Sequence, residues 1–305
     1  MGFRKIKLEF FHIRKSFFVY RRGWRYLYNK YVFLPQLLRR DLKFDQTINR
    51  PDLSLHILTC HRDTAMTIVA VASYLRVAKV IGQIYFHNDG TLSKSDLALL
   101  KKFFPTALVV NTADFIRDYG PAVCRHATIC DFRTRYDNFS FKKIVDPYFV
   151  SDKRFRLILD SDILWFKHPA EIEANILSDS PQSLMQNNGL PIYATFADGS
   201  RTTEQQAMMN AGIIFYDRRN FDLKRLEEFL QKLDLNHPRN LHFADQAGHA
   251  YCLNHLTALP AEKYVIKDRV SDRVVAKHYT GPRRVLFYIE GLEILKINGL
   301  FANKT

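Results

Sequence analysis

Two carboxylates one residue apart close an apolar run in Arg154-Phe155-Arg156-Leu157-Ile158-Leu159-Asp160-Ser161-Asp162-Ile163-Leu164-Trp165-Phe166. If the chain turns after Leu159, Asp160 and Asp162 can face one divalent cation, with Ser161 too small to crowd it. Hard cations such as Mg2+ and Mn2+ take oxygen ligands and complete their shells with water and phosphate oxygens. Two acids at such a corner suggest a nucleotide or phosphoester site. Asp-x-Asp by itself is a weak signal, because it is common on solvated loops. The unusual feature is the apolar sequence on both sides.

A phosphatase of the haloacid-dehalogenase type offers a competing chemistry, since its nucleophilic Asp also ends an apolar strand. Ile163 and Leu164 stand where that site expects glycine and threonine. A near copy of the same signature, His87-Asn88-Asp89-Gly90-Thr91-Leu92, carries histidine at the nucleophile's place. Without that carboxylate no aspartyl-phosphate forms. The third function class is a non-catalytic basic protein that binds membrane or nucleic acid.

The acids must be positioned by the elements around them. Residues 55–60 have the pattern of a buried strand, 62–78 of a mostly apolar helix, and 81–89 of a second strand closed by Gly90. A helix at 93–104, with Ser93 or Ser95 as its N-cap, and a strand at 107–111 follow. Strand and helix in alternation predict an α/β domain with a mostly parallel sheet between helices, whose ligands gather at the carboxyl ends of the strands. A helical stretch from about 135 to 150, the strand ending at Asp160, a helix near 169–177, an irregular polar section from about 181 to 204, a strand at 211–217 and a helix at 223–233 complete the pattern. The texture changes at Asn49-Arg50-Pro51-Asp52. The expected organisation is an arm (1–50), one domain (51–284) and a short tail (285–305).

Four separated pieces, LILDSDILWFKHP (157–169), MMNAGIIFYD (208–217), ADQ (244–246) and KHYTG (277–281), follow HILTCHRD (56–63) in a fixed order. On these pieces the chain resembles the GT-A nucleotide-sugar glycosyltransferases, in particular the retaining, family 8-like group with a C-terminal metal-binding histidine. The resemblance spans nearly all of residues 51–284. It implies a Rossmann-like GT-A fold, and that Asp160, Asp162 and His278 hold a divalent cation on the diphosphate of a nucleoside-diphosphate sugar. An imidazole ligand suits Mn2+ somewhat better than Mg2+.

The same resemblance places Asn210, Ala211 and Gly212 at the donor sugar, Asp245 on its hydroxyls and Gln246 beside the anomeric carbon. Thr59, Cys60 and His61 fall at the base and ribose, Ser161 at the donor between the two acids, and Lys143, or equally Lys142, reaches the donor from the preceding helix. After His278-Tyr279-Thr280-Gly281 the group's lysine and tryptophan are replaced by Pro282-Arg283-Arg284. An arginine fork there also suits diphosphate oxygens. Configuration would be retained, with Gln246 or Asp245 steadying the positive centre. An inverting enzyme would instead need a carboxylate base, for which Asp198 and Glu204 are the candidates.

Plain structural readings stand beside these. Asn210 and Gly212 could form a turn entering a strand, Asp245 could cap a helix beginning near Gln246, and His278 could be a hydrogen-bonded core histidine. His61, Arg62, His242 and His249 read equally as surface polar residues, and Trp165 and Phe166 as core.

The charge balance adds a partner. Residues 1–50 hold 13 Lys and Arg against Glu9, Asp41 and Asp45, which is +10 of the chain's formal +14. Ten aromatics between Phe10 and Phe33 interleave with these charges, the composition of an interfacial membrane anchor for anionic headgroups. A helical arm packed on the domain is the alternative. Nucleic acid is not expected, because the remaining charge is nearly balanced and no recognition motif accompanies the basic segment. The expected partners are thus a nucleotide sugar, a glycan or lipid-linked acceptor, and a membrane surface touched by residues 1–40.

A hydrophobic share of 47% supplies a sizeable core and excludes general disorder. No stretch approaches the roughly 20 apolar residues of a membrane span. Cys60, Cys124, Cys130 and Cys252 contain no C-x-x-C pair, so neither a zinc site nor a disulfide framework is implied. A reducing, cytoplasmic setting on the inner face of the membrane is the expectation.

Overall fold

A computed structural model describes residues 2–135 and 139–301. The strands are β1 (Leu53–Thr59), β2 (Gln83–Asn88), β3 (Leu108–Val110), β4 (Phe155–Asp160), β5 (Ile163–Trp165), β6 (Ser183–Asn187), β7 (Met209–Asp217), β8 (Leu256–Ala258), β9 (Tyr264–Val265) and β10 (Ala276–His278). The N-terminal helices are α1 (Gly2–Phe18), α2 (Gly23–Tyr28) and α3 (Leu34–Arg39), the last two joined by a π-helical turn. They are followed by α4 (Thr64–Val77), α5 (Lys94–Phe103), α6 (Thr112–Val123), α7 (Ala127–Arg135), α8 (Phe139–Val150) and α9 (Ala170–Ile176). The last group is α10 (Glu204–Ala207), α11 (Leu223–Lys232), α12 (Asn240–Cys252), α13 (Arg284–Leu286) and α14 (Leu292–Ile297).

Seven strands form one sheet in the order β3-β2-β1-β4-β7-β6-β8, and β5-β10-β9 form a second. All neighbours in the large sheet are parallel except those of β7, which runs antiparallel to both β4 and β6. The alternation along the central strands decides what lies on each face. Phe155, Leu157 and Leu159 of β4 and Ile213 and Phe215 of β7 join one apolar cluster with α4 and the N-terminal helices. Ile158, Ile214 and Tyr216 point the other way, into a second cluster with α6, α7, α8, α11 and α12. Arg156 lies fully buried in β4, where its Nε donates to the Pro147 carbonyl (2.9 Å) and its other nitrogens reach the Lys153 and Ser151 carbonyls. One guanidinium thus satisfies carbonyls left over at the end of α8.

Several expectations need correction. The section 181–204 is not wholly irregular: Ser183–Asn187 is a strand, paired on one side to β7 and on the other to β8. Between the strand expected at 107–111 and the helical stretch expected from about 135 lie two further helices, α6 and α7. Asp245 caps nothing, since it lies in the middle of α12. Cys124 and Cys130 are joined by a disulfide across the turn between α6 and α7, whereas the sequence implied no pairing. Cysteine usage therefore no longer argues for a reducing compartment.

The arm is docked rather than trailing. Tyr26, Leu34, Leu37 and Leu42 belong to the same cluster as β1 and α4. Buried Asn29 donates to the Tyr288 carbonyl (2.6 Å) and to Glu293 (2.8 Å), and accepts from Lys296 (2.6 Å). These bonds tie the arm to α14 and the turn before it. No described helix is long and apolar enough to cross a membrane.

Candidate functional site

Asp160 ends β4 in the large sheet, and Ile163 begins β5 in the small one, so Asp160-Ser161-Asp162 is the corner where the chain changes sheets. β10 lies antiparallel on β5 with His278 opposite Ile163, which brings the imidazole beside Asp162. The Tyr279 amide donates to the Asp162 carbonyl (2.9 Å) and fixes the corner. One ligand atom from each of Asp160, Asp162 and His278 falls within 4.8 Å of the others. His278 Nε2 stands 3.1 Å from an Asp162 oxygen and 3.4 Å from an Asp160 oxygen.

β7 supplies the imidazole's other side. Asn210 opposes Gln186 of β6 while Ile214 opposes Met185, so Ala211, Gly212 and Ile213 have no counterpart on β6. Such a bulge re-aims side chains at a strand end. The Gly212 amide donates to Oδ1 of Asn210 (2.8 Å), and His278 Nδ1 lies 3.1 Å from the same oxygen. An amide oxygen only accepts, so Nδ1 carries the hydrogen and donates to it. In neutral imidazole this leaves the Nε2 lone pair facing two carboxylates. Either a proton or a cation must lie between them, and this tautomer, set by a neighbouring acceptor, is the arrangement of a metal-ligating histidine. Gly212 is needed beneath the ring: a Cβ there would lie 2.7 Å from His278 Cε1 and 2.8 Å from Gln186 Oε1.

The two acids have different surroundings. Burial pushes the Asp160 carboxyl above its ordinary range, against the opposing charges of Lys143 and His278. Burial acts on Asp162 too, but there Arg284 and His278 outweigh it and hold the carboxyl well below the usual range. The Arg284 guanidinium bridges Asp162 (2.9 Å) and Asp63 (2.8 Å). Buried Lys143, on α8, donates to Asp160 (2.5 Å) and to the Ala211 carbonyl (2.7 Å) and lies 3.3 Å from Asp245 on α12. Burial would lower its pKa, but the two carboxylates outweigh this and raise it. The ammonium stays charged and joins the acid corner to α12. Lys142, the other candidate, turns toward the Asp89 carbonyl (3.3 Å).

A cleft of about 1370 Å³ opens over this corner. Thr59, Cys60, Ser161, Asn210, Ala211, Gly212, Asp245, Gln246, His278, Gly281 and Arg284 all line it. The Thr59 hydroxyl is taken up by Thr67 (2.6 Å), and burial pushes the Cys60 thiol up to about 11. Gln246 accepts from Asn210 (3.4 Å), while its buried Nε2 has no partner among the described residues. Gly281, at φ +53°, turns the chain out of β10 with open space where a side chain would stand.

Some expected residues lie elsewhere. His61 turns away from the cleft to meet Asp96 (2.7 Å), and Arg283 does not line the cleft. Asp198 and Glu204 are exposed and also outside it, so neither is placed as an acceptor base. His249, read as a surface residue, is fully buried with Nδ1 2.7 Å from the Asp245 carbonyl. His242 is exposed but does line the cleft, and Trp165 is core. Sequence reasoning missed Asp63, Asp89 and the arm residues Leu8, Phe11 and His12, all on the cleft wall. Asp63 had a signal, a carboxylate just after the first strand beside Arg62. The arm residues had none, because their place depends on how the arm docks.

No family model and no curated protein sequence matches this chain. Among solved structures it is similar to mouse xyloside xylosyltransferase 1 in its apo form, at 14% identity, covering 78% of this chain and 97% of that one with a TM-score of 0.46. It is also similar to the galactosyltransferase LgtC in complex with donor and acceptor sugar analogues, at 12% identity, 83% and 96% coverage and a TM-score of 0.43. A third is the glycosyltransferase GlyE of Streptococcus pneumoniae TIGR4, at 11% identity, 70% and 46% coverage and a TM-score of 0.45. The chain spans about half the length of the GlyE structure. At these levels the likeness concerns the chain trace alone, and the residue roles rest on the geometry of this site.

Proposed function

We propose that the chain is a metal-dependent glycosyltransferase, moving a sugar from a nucleoside-diphosphate sugar to a hydroxyl of a cell-surface glycan or a lipid-linked intermediate. The observation that carries the reading is His278 Nε2 aimed between Asp160 and Asp162 with its tautomer fixed by Asn210. Two carboxylate oxygens and one imidazole nitrogen suit Mn2+, with Mg2+ the alternative. The cation, once held there, supplies Lewis-acid neutralisation of the departing diphosphate.

The protein's own residues account for the rest. Arg284 already lies on Asp162 at the cleft wall, where its remaining N–H groups can meet phosphate oxygens. Lys143 fixes the position of Asp160 and Asp245 together, so Asp245 can accept from sugar hydroxyls without drifting. The Nε2 of Gln246, without a partner among the described residues, is the group that would donate to a ligand oxygen, and an amide is no base. This favours retention, with Gln246 and Asp245 steadying a developing positive centre. The volume exceeds that of a typical single-ligand pocket, roughly 300–1000 Å³, which suits two substrates side by side.

A panel of nucleotide sugars screened by thermal shift, with Mn2+, Mg2+ or chelator, tests the reading. Stabilisation by one donor only in the presence of cation, lost in Asp162→Ala, is the expected result. Hydrolysis of simple phosphoesters dependent on Asp160, with no nucleotide-sugar binding, would favour the phosphatase chemistry instead.

A further inference from the structure

We infer that the outer face of the N-terminal arm is a docking surface for an anionic lipid bilayer, and that the cleft opens beside it. The two sides of α1 differ sharply. On its inner side Ile13 packs on the apolar cluster and His12 and Ser16 are buried, and Tyr20 in the turn after α1 packs on the same cluster. Lys7, Phe11, Arg14 and Phe18, spaced one and two turns apart, are exposed. The turn and α2 extend this face with Trp24, which is 78% exposed, as is Phe18. Large aromatics left this open are unusual on a soluble surface.

The charges decide the partner. Arg14, Arg21 and Arg22 are exposed and have no acidic partner among the described residues, and Arg25 has only a 3.9 Å approach to Glu293. Rings that sink to the headgroup boundary, flanked by guanidiniums at phosphate level, fit an anionic bilayer. A neutral bilayer would leave the charges unanswered, and a rigid nucleic acid would leave the rings in water. The face is also held in place. Glu9 accepts from Tyr26 (2.9 Å), Tyr31 (2.5 Å) and Lys30, and Lys15 donates to the Pro282 carbonyl (3.0 Å).

Continuity with the cleft gives the docking its consequence. Leu8 and Phe11 border this face and also line the cleft. A bilayer under the arm would therefore lie at the cleft mouth, and an acceptor carried on a lipid would enter from that side. The docking itself does not depend on the proposed activity; only the acceptor's route rests on that reading.

The test uses the full chain, chelator and no donor, so that lipid binding is separated from transfer. Co-sedimentation is measured with phosphatidylcholine vesicles and with vesicles containing about 30% phosphatidylglycerol, at low and high salt. Binding only to the anionic vesicles, weakened by salt, is expected. Reversing Arg14, Arg21 and Arg22 to Glu should weaken it by at least about 100-fold. Phe18→Ser with Trp24→Ser should weaken it by at least about 10-fold. Both variants should keep the wild-type melting temperature and cation-dependent donor stabilisation. Equal binding to neutral vesicles, or none to either, would overturn the inference. So would self-association abolished by the Phe18/Trp24 variant, or nucleic-acid binding in place of vesicle binding.

Discussion

Replacing Gly212 with alanine should damage the proposed cation site without altering any of its candidate ligands. The added Cβ would lie 2.7 Å from Cε1 of His278 and 2.8 Å from Oε1 of Gln186, where ordinary contacts begin at 3.4 Å. The strand cannot easily give way, because Ile213 is registered against Leu159 of β4 and Asn210 against Gln186 of β6. The ring must therefore retreat by at least about 0.7 Å. That exceeds the roughly 0.5 Å within which a ligand can drift and remain productive. It also pulls Nδ1 off Asn210, and loss of such orienting bonds typically lowers metal affinity about 10–100-fold. Overpacking of this kind costs about 1–3 kcal/mol of stability. Isothermal titration with Mn2+ and chemical denaturation read the two effects separately. Gly281→Ala is the comparison: it strains a residue at φ +53°, at a cost of about 1–2 kcal/mol, but meets no atom within 4 Å. Mn2+ binding by Gly212→Ala within about twofold of wild type, or equal losses in both variants, would refute the reasoning.

Three further outcomes follow from the same geometry. Arg284→Met should leave Asp162 and Asp63 buried without their shared partner, costing about 3–5 kcal/mol in denaturant unfolding. Arg284→Lys should recover little of this, since one ammonium lacks the fork that spans both acids; full recovery would contradict the bridge. Gln246→Ala should slow sugar transfer while leaving Mn2+ affinity unchanged, measured by steady-state kinetics beside titration; a parallel loss of Mn2+ binding would assign Gln246 to the metal site. Acid should destabilise the fold through its buried histidines. Burial holds His249 at about 4 and His87 at about 3, and it holds His56, paired with His87, well below 6.5. Unfolding returns each toward 6.5, so the unfolded chain binds more protons in that window. The stabilisation is full above pH 6.5 and is lost as pH falls toward 4, roughly 3 kcal/mol for His249 alone. Denaturation midpoints at pH 7.5 and 5 should differ accordingly, and by less in His249→Phe; an equal difference in that variant would remove His249 from the explanation.

The sequence was most informative where one local pattern served one element. Leu53–Thr59 and Phe155–Asp160 are buried on both faces and read as apolar runs, and Ser93 with Asp96 forms the capping box that starts α5. It was least informative where pairing partners decide structure. Ser183–Asn187 carries two polar residues at its end and reads as loop, yet Gln186 is buried because β7 and β9 surround it. The direction of β7 leaves no trace in Met209–Asp217, although its bulge is what orients Asn210 toward His278. The acids were legible because charges rarely end an apolar strand without a partner. Asp63 carried only the weak signal of its place after the first strand, because Arg284, its partner, lies 221 residues away.

The central claim is that Asp160, Asp162 and His278 hold a cation that in turn holds a diphosphate. Electron paramagnetic resonance of Mn2+ titrated with the protein reads this directly. Wild-type protein should quench the signal of free Mn2+, a nucleoside diphosphate should tighten the binding, and Asp162→Asn and His278→Ala should each abolish it. Unchanged Mn2+ binding in both variants, or nucleoside-diphosphate binding that is equally tight in chelator, would contradict it.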